Sequence, residues 1–261
     1  MKRNFLYSVL LILLLASCSG YEKLLKSTDN NLKYRKAFEY YNNGDYTRAA
    51  TIFDQIVNIF RGTNKSDSVT YFQAMSYYGE KDYITAGYYL KTFFQTYPYS
   101  PFAEEAEFLS AYCFYLTSPN PELDQENTVS AIEAFNSFIN KHPLSKRTAQ
   151  AHELVAELQD KLVEKSFISA KLYFDLGLYK SSIIALHNSL DDYPNTKFRE
   201  ELMWLILRSN YLLASKSIES KQKQRFQDTI DEYYSFISQF PESKYKGDAD
   251  DIYKVAERHV Q

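Results

Sequence analysis

The sequence predicts an all-α fold, an α-α superhelix of about five helical hairpins plus a C-terminal capping helix. Three observations carry that expectation. First, a small residue is followed four places on by a large apolar one, and three further by another core-type residue. This happens five times: Ala49–Phe53–Ile56, Ala86–Leu90–Phe93, Ala131–Phe135–Phe138, Ser182–Leu186–Ser189 and Thr229–Tyr233–Phe236. Steps of three and four place these residues on one helix face, and a small residue opposite a large one lets two helices interlock. Second, a helix stop follows each copy, at Arg61, Pro98, Pro143, Pro194 and Pro241. Proline cannot continue a helix. Third, a partner helix lies upstream of most copies, marked by Ala37/Tyr40, Ala74/Tyr77, Ala111/Phe114 and Ala170/Tyr173.

The elements follow in order. Turn signals separate the two helices of a hairpin at Gly44-Asp45-Tyr46, Lys81-Asp82-Tyr83 and Gly177-Leu178-Tyr179. Glycine tolerates the left-handed backbone that closes many helices. This is a degenerate tetratricopeptide-like pattern. The expected units are 32–61, 66–98, 101–143, 145–194 and 196–241, within a superhelix spanning 32–261, with a cap at 246–259. The stops lie 37, 45, 51 and 47 residues apart, against about 34 in the ideal repeat. The extra residues fall in three places. Thr117 to Gln125, with two prolines, reads as an inserted loop. Ser145 to Leu176 has neither Pro nor Gly and reads as one long helix, and Ser215 to Gln224 reads as a polar connector. Serine or threonine two places past each proline (Ser100, Ser145, Thr196, Ser243) reads as the N-cap of the next helix.

Ahead of the repeats, Lys2 and Arg3 precede a short apolar run, Phe5 to Ala16, and then Leu15-Ala16-Ser17-Cys18. A basic start, a short apolar run and small residues before the cut describe a secretory signal over 1–17. The order Leu-Ala-Ser-Cys resembles the bacterial lipobox, which implies cleavage before Cys18 and lipidation there. Residues 18–31 then read as the lipidated cysteine and a polar tether, helical around Tyr21 to Lys26. Removing 1–17 leaves 28 basic against 33 acidic residues, a net charge of −5. Such a mildly acidic chain, with no basic tract, is expected to be a poor binder of nucleic acid and of anionic lipid. The remaining Cys113 lies in an apolar helical run and reads as a small core residue.

No catalytic or metal site is expected, and no cofactor. His142, His152, His187 and His259 are scattered, and no Gly-rich phosphate loop or nucleophile elbow occurs. Glu104-Glu105-Glu107 and Asp248-Asp250-Asp251 read as acids that favour helix starts and line a solvated face. The groove is more informative. If Ala37/Tyr40 and Ala74/Tyr77 face the partner helices, the phase turns Tyr34, Phe38 and Tyr41 in the first unit, and Tyr71, Met75 and Tyr78 in the second, toward the groove. Such rings suit apolar side chains on an extended peptide. The alternative is that they pack under a neighbouring helix or the N-terminal tether.

Pro-x-Ser repeats behind a lipoprotein signal resemble the BamD family, the tetratricopeptide lipoproteins of the outer-membrane β-barrel assembly machinery. The resemblance runs from Cys18 to about His259. Its most particular segment is Ser118 to Gln125 followed by Thr128-Val129-Ser130-Ala131-Ile132. Arg61, standing where a proline is expected, departs from it. The resemblance implies a non-enzymatic scaffold, lipid-anchored at the periplasmic face of the outer membrane. Its implied partners are the periplasmic domains of the β-barrel insertase, through the C-terminal repeats, and unfolded outer-membrane proteins, through the N-terminal repeats. Two other readings stay open: a tetratricopeptide lipoprotein coordinating cell-wall or envelope processes, and a glycan-binding lipoprotein, whose platform would need exposed Trp.

Overall fold

A computed structural model describes residues 20–261. Every regular element among them is an α-helix. After a helical segment at 20–25 come α1 (Asn30–Asn42), α2 (Tyr46–Ile56), α3 (Ser66–Gly79), α4 (Tyr83–Thr96), α5 (Ala103–Thr117) and α6 (Glu126–Lys141). Then follow α7 (Thr148–Asp175), α8 (Tyr179–Asp192), α9 (Arg199–Ser215), α10 (Glu219–Gln239) and α11 (Lys246–Val260). Packing is between sequence neighbours: α1 with α2, α3 with α4, α5 with α6, α8 with α9, α10 with α11. Two compact units result. The first holds the described residues to Ser118 and Glu126–Val155, the second Pro119–Gln125 and Ala156–Gln261.

The repeat register is the packing register. Ala49, Phe53, Ile56, Ala86, Leu90, Phe93, Ala131, Phe135, Phe138, Ser182, Leu186, Thr229 and Phe236 are all fully buried. Where the fourth repeat has Ser189 in place of a large residue, Ser166 Oγ donates to it at 2.9 Å. Ser182 and Ser209 likewise bond across α8 and α9 at 3.1 Å. These small hydroxyls keep the helices close while satisfying their own polar atoms.

The hairpin turns form as their residues dictate. Gly44 and Gly177 take φ values of 77° and 73°, and Lys81 adopts the same left-handed conformation at 65°. Asp45 and Asp82 then cap α2 and α4, accepting from Arg48 N at 3.3 Å and Thr85 N at 3.1 Å. Gly79 marks a close approach, because a Cβ there would lie 2.5 Å from the Tyr46 ring. The helices end at Thr96, Lys141, Asp192 and Gln239, each two residues before its proline. Without a proline at 61, α2 stops earlier, at Ile56, and the chain turns through 57–60. Phe60 is buried there against Tyr34, with ring centroids 5.4 Å apart.

Three expectations need correction. The serine after each proline is not the helix N-cap. The N-caps of α5, α9 and α11 are Phe102, Phe198 and Tyr245, and the hydroxyl accepts the backbone N–H two residues on. Those distances are 3.4 Å at Ser100, 3.1 Å at Ser145, 3.2 Å at Thr196 and 3.0 Å at Ser243. Nor is Ser215 to Gln224 a connector throughout: α9 runs to Ser215 and α10 already begins at Glu219. Glu104 and Glu105 accept from Ser145 and Arg147 of the next connection, and Glu107 from Lys141 at the end of α6. Finally, residues 20–25 are not a free tether. Leu24 is buried, Tyr21 packs edge-on against Tyr40, and Lys33 Nζ donates to Leu25 O at 2.9 Å.

One contact recurs at every joint between repeats. The last residue before each new first helix lies over an aromatic ring of the preceding first helix. Phe102 stacks on Tyr71 (4.5 Å, 9°), Phe198 on Phe167 (4.3 Å, 6°) and Tyr245 on Trp204 (5.0 Å, 9°). Cations take the same place elsewhere, with Lys65 Nζ 4.4 Å from the Tyr34 centroid and the Arg147 guanidinium 4.7 Å from that of Phe108. The serine of the connection adds a second tie. Ser100, Ser145 and Ser243 donate to Asp67, Glu104 and Glu200, acids in the first turn of the same preceding helix, at 3.0, 2.6 and 2.6 Å. Each joint is therefore held by a ring contact, and three of them also by a charge-assisted hydrogen bond.

The series stops in α11. Six residues past the N-cap, where Tyr71, Phe108 and Trp204 stand in earlier helices, α11 has Asp251. Three further on, in place of Ala74, Ala111 and Leu207, it has Lys254. Both are exposed and pair with each other at 2.8 Å. An outer helix with a polar face ends a repeat stack without needing a partner.

Candidate functional site

Two first helices of the first unit, α1 and α3, carry the sequence-derived groove residues, and their environments differ. Tyr34 is half-buried and lies under Lys65. Phe38 packs edge-on against Phe53 (5.2 Å) and Phe72 (4.9 Å). Tyr41 meets Phe72 at 4.9 Å and Tyr46 at 5.4 Å, and its hydroxyl pKa is raised by burial and then by Tyr46. Met75 is half-buried. Tyr78 lies 5.6 Å from Tyr83, its pKa pushed up to about 12, chiefly by burial and with Tyr112 contributing.

Tyr71 is placed differently. It is 8% exposed, stacked under Phe102 and in contact with Phe93 at 5.4 Å. Its pKa is pushed up to about 12, first by burial and next by Glu105. A ring so enclosed supports the face from below and offers little contact area of its own. The N-terminal segment leaves these rings uncovered by its ring contacts. It packs beside Tyr40 and Lys33, which lie on another side of α1.

The structure adds residues that the sequence reading missed. The phase repeats at intervals of 37 residues: Tyr34, Tyr71 and Phe108; Phe38, Met75 and Tyr112; Tyr41, Tyr78 and Tyr115. The first set is engaged in the joints. The other two sets form the surface between them. On α5, Phe108, Tyr112 and Tyr115 stack in a row, with centroids 6.1 and 5.3 Å apart and both pairs at 13°. The signal was present in Ala111/Phe114, which fix the phase of α5 as Ala74/Tyr77 fix that of α3. Beside this row, Arg147 grips Glu105 through Nε and Nη2 and donates to Gln150 at 3.0 Å. Its own pKa is raised, first by the Glu105 hydrogen bond.

The remaining chemistry-bearing residues serve packing. Cys113 is buried, its thiol pushed up to about 12 by desolvation, and it lies against Gly87, where a Cβ would approach the Cys113 Cβ to 3.0 Å. His142 and His187 face Glu107 (3.0 Å) and Glu232 (3.3 Å). Trp204 is 5% exposed beneath Tyr245, which removes it as a glycan platform. The lipidation candidate Cys18 lies outside the described residues.

A family model described as outer membrane lipoprotein, YfiO, matches residues 26–225. The chain belongs to the YfiO family of outer membrane lipoproteins. That match runs from just after the N-terminal helical segment through the first four repeats and into α10. Among its relatives is an Aquifex aeolicus (strain VF5) protein named provisionally as outer membrane protein assembly factor BamD. It is 27% identical over 237 residues, covering 89% of this chain and 77% of the relative. The outer membrane protein assembly factor BamD of Rickettsia prowazekii (strain Madrid E) is 23% identical over 177 residues, 68% of this chain and 70% of its own. Family membership associates the chain with the outer membrane, and both of these relatives are named as assembly factors.

Proposed function

We propose that this chain is a lipid-anchored scaffold of the outer-membrane β-barrel assembly machinery, facing the periplasm. Cys18 carries the anchor. The first unit receives unfolded barrel proteins, and the later repeats contact the periplasmic domains of the insertase. The names of its relatives support the general role. The observation that supports substrate binding is the row of half-buried rings on α1, α3 and α5. Phe38, Tyr41, Tyr78, Tyr112 and Tyr115 offer large apolar area with few rotamers left to freeze, and the flexible Met75 lies among them. Tyrosine hydroxyls at the same surface can bond an extended backbone. Barrel strands alternate apolar and polar side chains, so one face of such a strand presents the apolar series that these rings would accept.

Peptide titration tests the proposal. A peptide of alternating apolar residues ending in Phe is titrated into wild type and into Tyr78→Ala/Tyr112→Ala. Both proteins must first be matched in thermal stability. A hot spot costs roughly 2 kcal/mol or more, so loss of one should weaken binding by about 30-fold and loss of both, if additive, by about 800-fold. Equal affinity would make these rings structural and move substrate recognition elsewhere.

A further inference from the structure

The second unit carries an exposed edge of unusual composition. Leu172, Tyr173, Leu176 and Leu178, at the turn from α7 to α8, are all exposed, as is Ile218 at the turn from α9 to α10. Leu176 and Ile218 retain 62% and 66% of their surface. The two turns are neighbours in space. Lys216 Nζ lies 4.8 Å from the Tyr179 ring centroid and 3.5 Å from its hydroxyl. The second turn is internally fixed, because Arg225 donates to Ser217 Oγ and Gln222 Nε2 to Ser217 O.

The charge of this edge runs against that of the chain. Segments 171–180 and 216–225 hold six basic side chains and two acidic ones, whereas acids outnumber bases 33 to 30 in the whole sequence. Lys180, Lys216, Lys221 and Lys223 are exposed. Lys180 stands in the first turn of α8, and Lys221 and Lys223 near the start of α10. Cations at a helix N-terminus oppose the macrodipole. Here they gain little from their own fold, and an external negative surface would offset that cost.

From this juxtaposition we infer that the α7–α8 and α9–α10 turns form a second membrane contact, seating on an anionic bilayer surface. Leucine, isoleucine and tyrosine enter the headgroup boundary while the surrounding lysines reach the lipid phosphates. No helix among the described residues is long and apolar enough to cross a membrane, so the contact is interfacial. It would act beside the lipid on Cys18 and orient the repeats relative to the bilayer.

Local fluorescence quenching tests this without interference from the anchor, because the readout is depth at one site. Trp204 is the native tryptophan and is buried. Leu176→Trp adds an exposed reporter in the full-length chain, and Asn195→Trp adds a control at the far end of α8, roughly 20 Å away. Each variant is mixed with vesicles of brominated phosphatidylcholine, either alone or with about a third phosphatidylglycerol, a composition that sets the surface potential. Quenching is expected for Leu176→Trp in the anionic vesicles, with none for Asn195→Trp. Adding K216E/K221E/K223E should lower the quenching in anionic vesicles to the level seen in neutral ones. Absence of quenching overturns the inference, as does equal quenching in neutral vesicles or insensitivity to the charge reversals. A reporter shielded without lipid, in proportion to protein concentration, overturns it in favour of a second copy.

Discussion

Trp204→Ala is expected to destabilise the second unit by about 3–5 kcal/mol, the range for truncating a buried large aromatic. Two effects combine. The indole is 5% exposed and packs 6.1 Å from the Phe236 ring, so its loss leaves a cavity in the core beneath α10 and α11. It is also the platform for Tyr245, the joint between the fifth hairpin and the cap. Trp204→Phe keeps a ring under Tyr245 and should recover a large part of the loss. Circular dichroism with denaturant gives the stability, and amide exchange gives its location. Repeat stacks are coupled mainly through neighbours, so protection should fall across α9–α11 and hold in α1–α4. Equal loss of protection across the whole chain would contradict a joint-by-joint architecture.

Cys18→Ala should have the largest effect on location. Lipid attachment scales at roughly 0.8 kcal/mol per buried CH₂, so several acyl chains hold a protein to a bilayer essentially permanently. The variant should either keep residues 1–17 or be released from the outer membrane. Intact-mass measurement of the wild type should show a chain beginning at Cys18 with acyl chains added. An unmodified Cys18 would remove the anchor from the account, leaving membrane contact to depend on the edge near Leu176 and Ile218.

Much of the fold was legible because it is written in local periodicity. Ala86, Leu90 and Phe93 are buried in the order their spacing demands, and so are the equivalent residues of the other repeats apart from Tyr233, which is half-buried. The prolines fixed helix ends to within a few residues. Where Arg61 replaces proline, the stop was misplaced, because a turn set by Phe60 burying against Tyr34 has no sequence mark of its own. The joints were illegible for another reason. Ser145 and Glu104 are 41 residues apart and Phe198 and Phe167 are 31 apart, so their pairing depends on how repeats stack. That same stacking decides which rings of the groove phase stay open. It engages Tyr71 beneath Phe102 and leaves Tyr78 with Tyr112 and Tyr115 at the surface. The net charge hid the basic edge of the second unit, since acids elsewhere in the chain cancel it.

Co-purification tests the central claim most directly. The full-length chain is tagged at its C-terminus, expressed in its own envelope, solubilised in mild detergent and captured, and the bound proteins are identified by mass. The account predicts recovery of a large β-barrel protein with repeated periplasmic domains, retained in a Tyr78→Ala/Tyr112→Ala variant that no longer binds the substrate peptide. Recovery of cell-wall enzymes with no barrel protein would contradict it and favour a role in envelope construction.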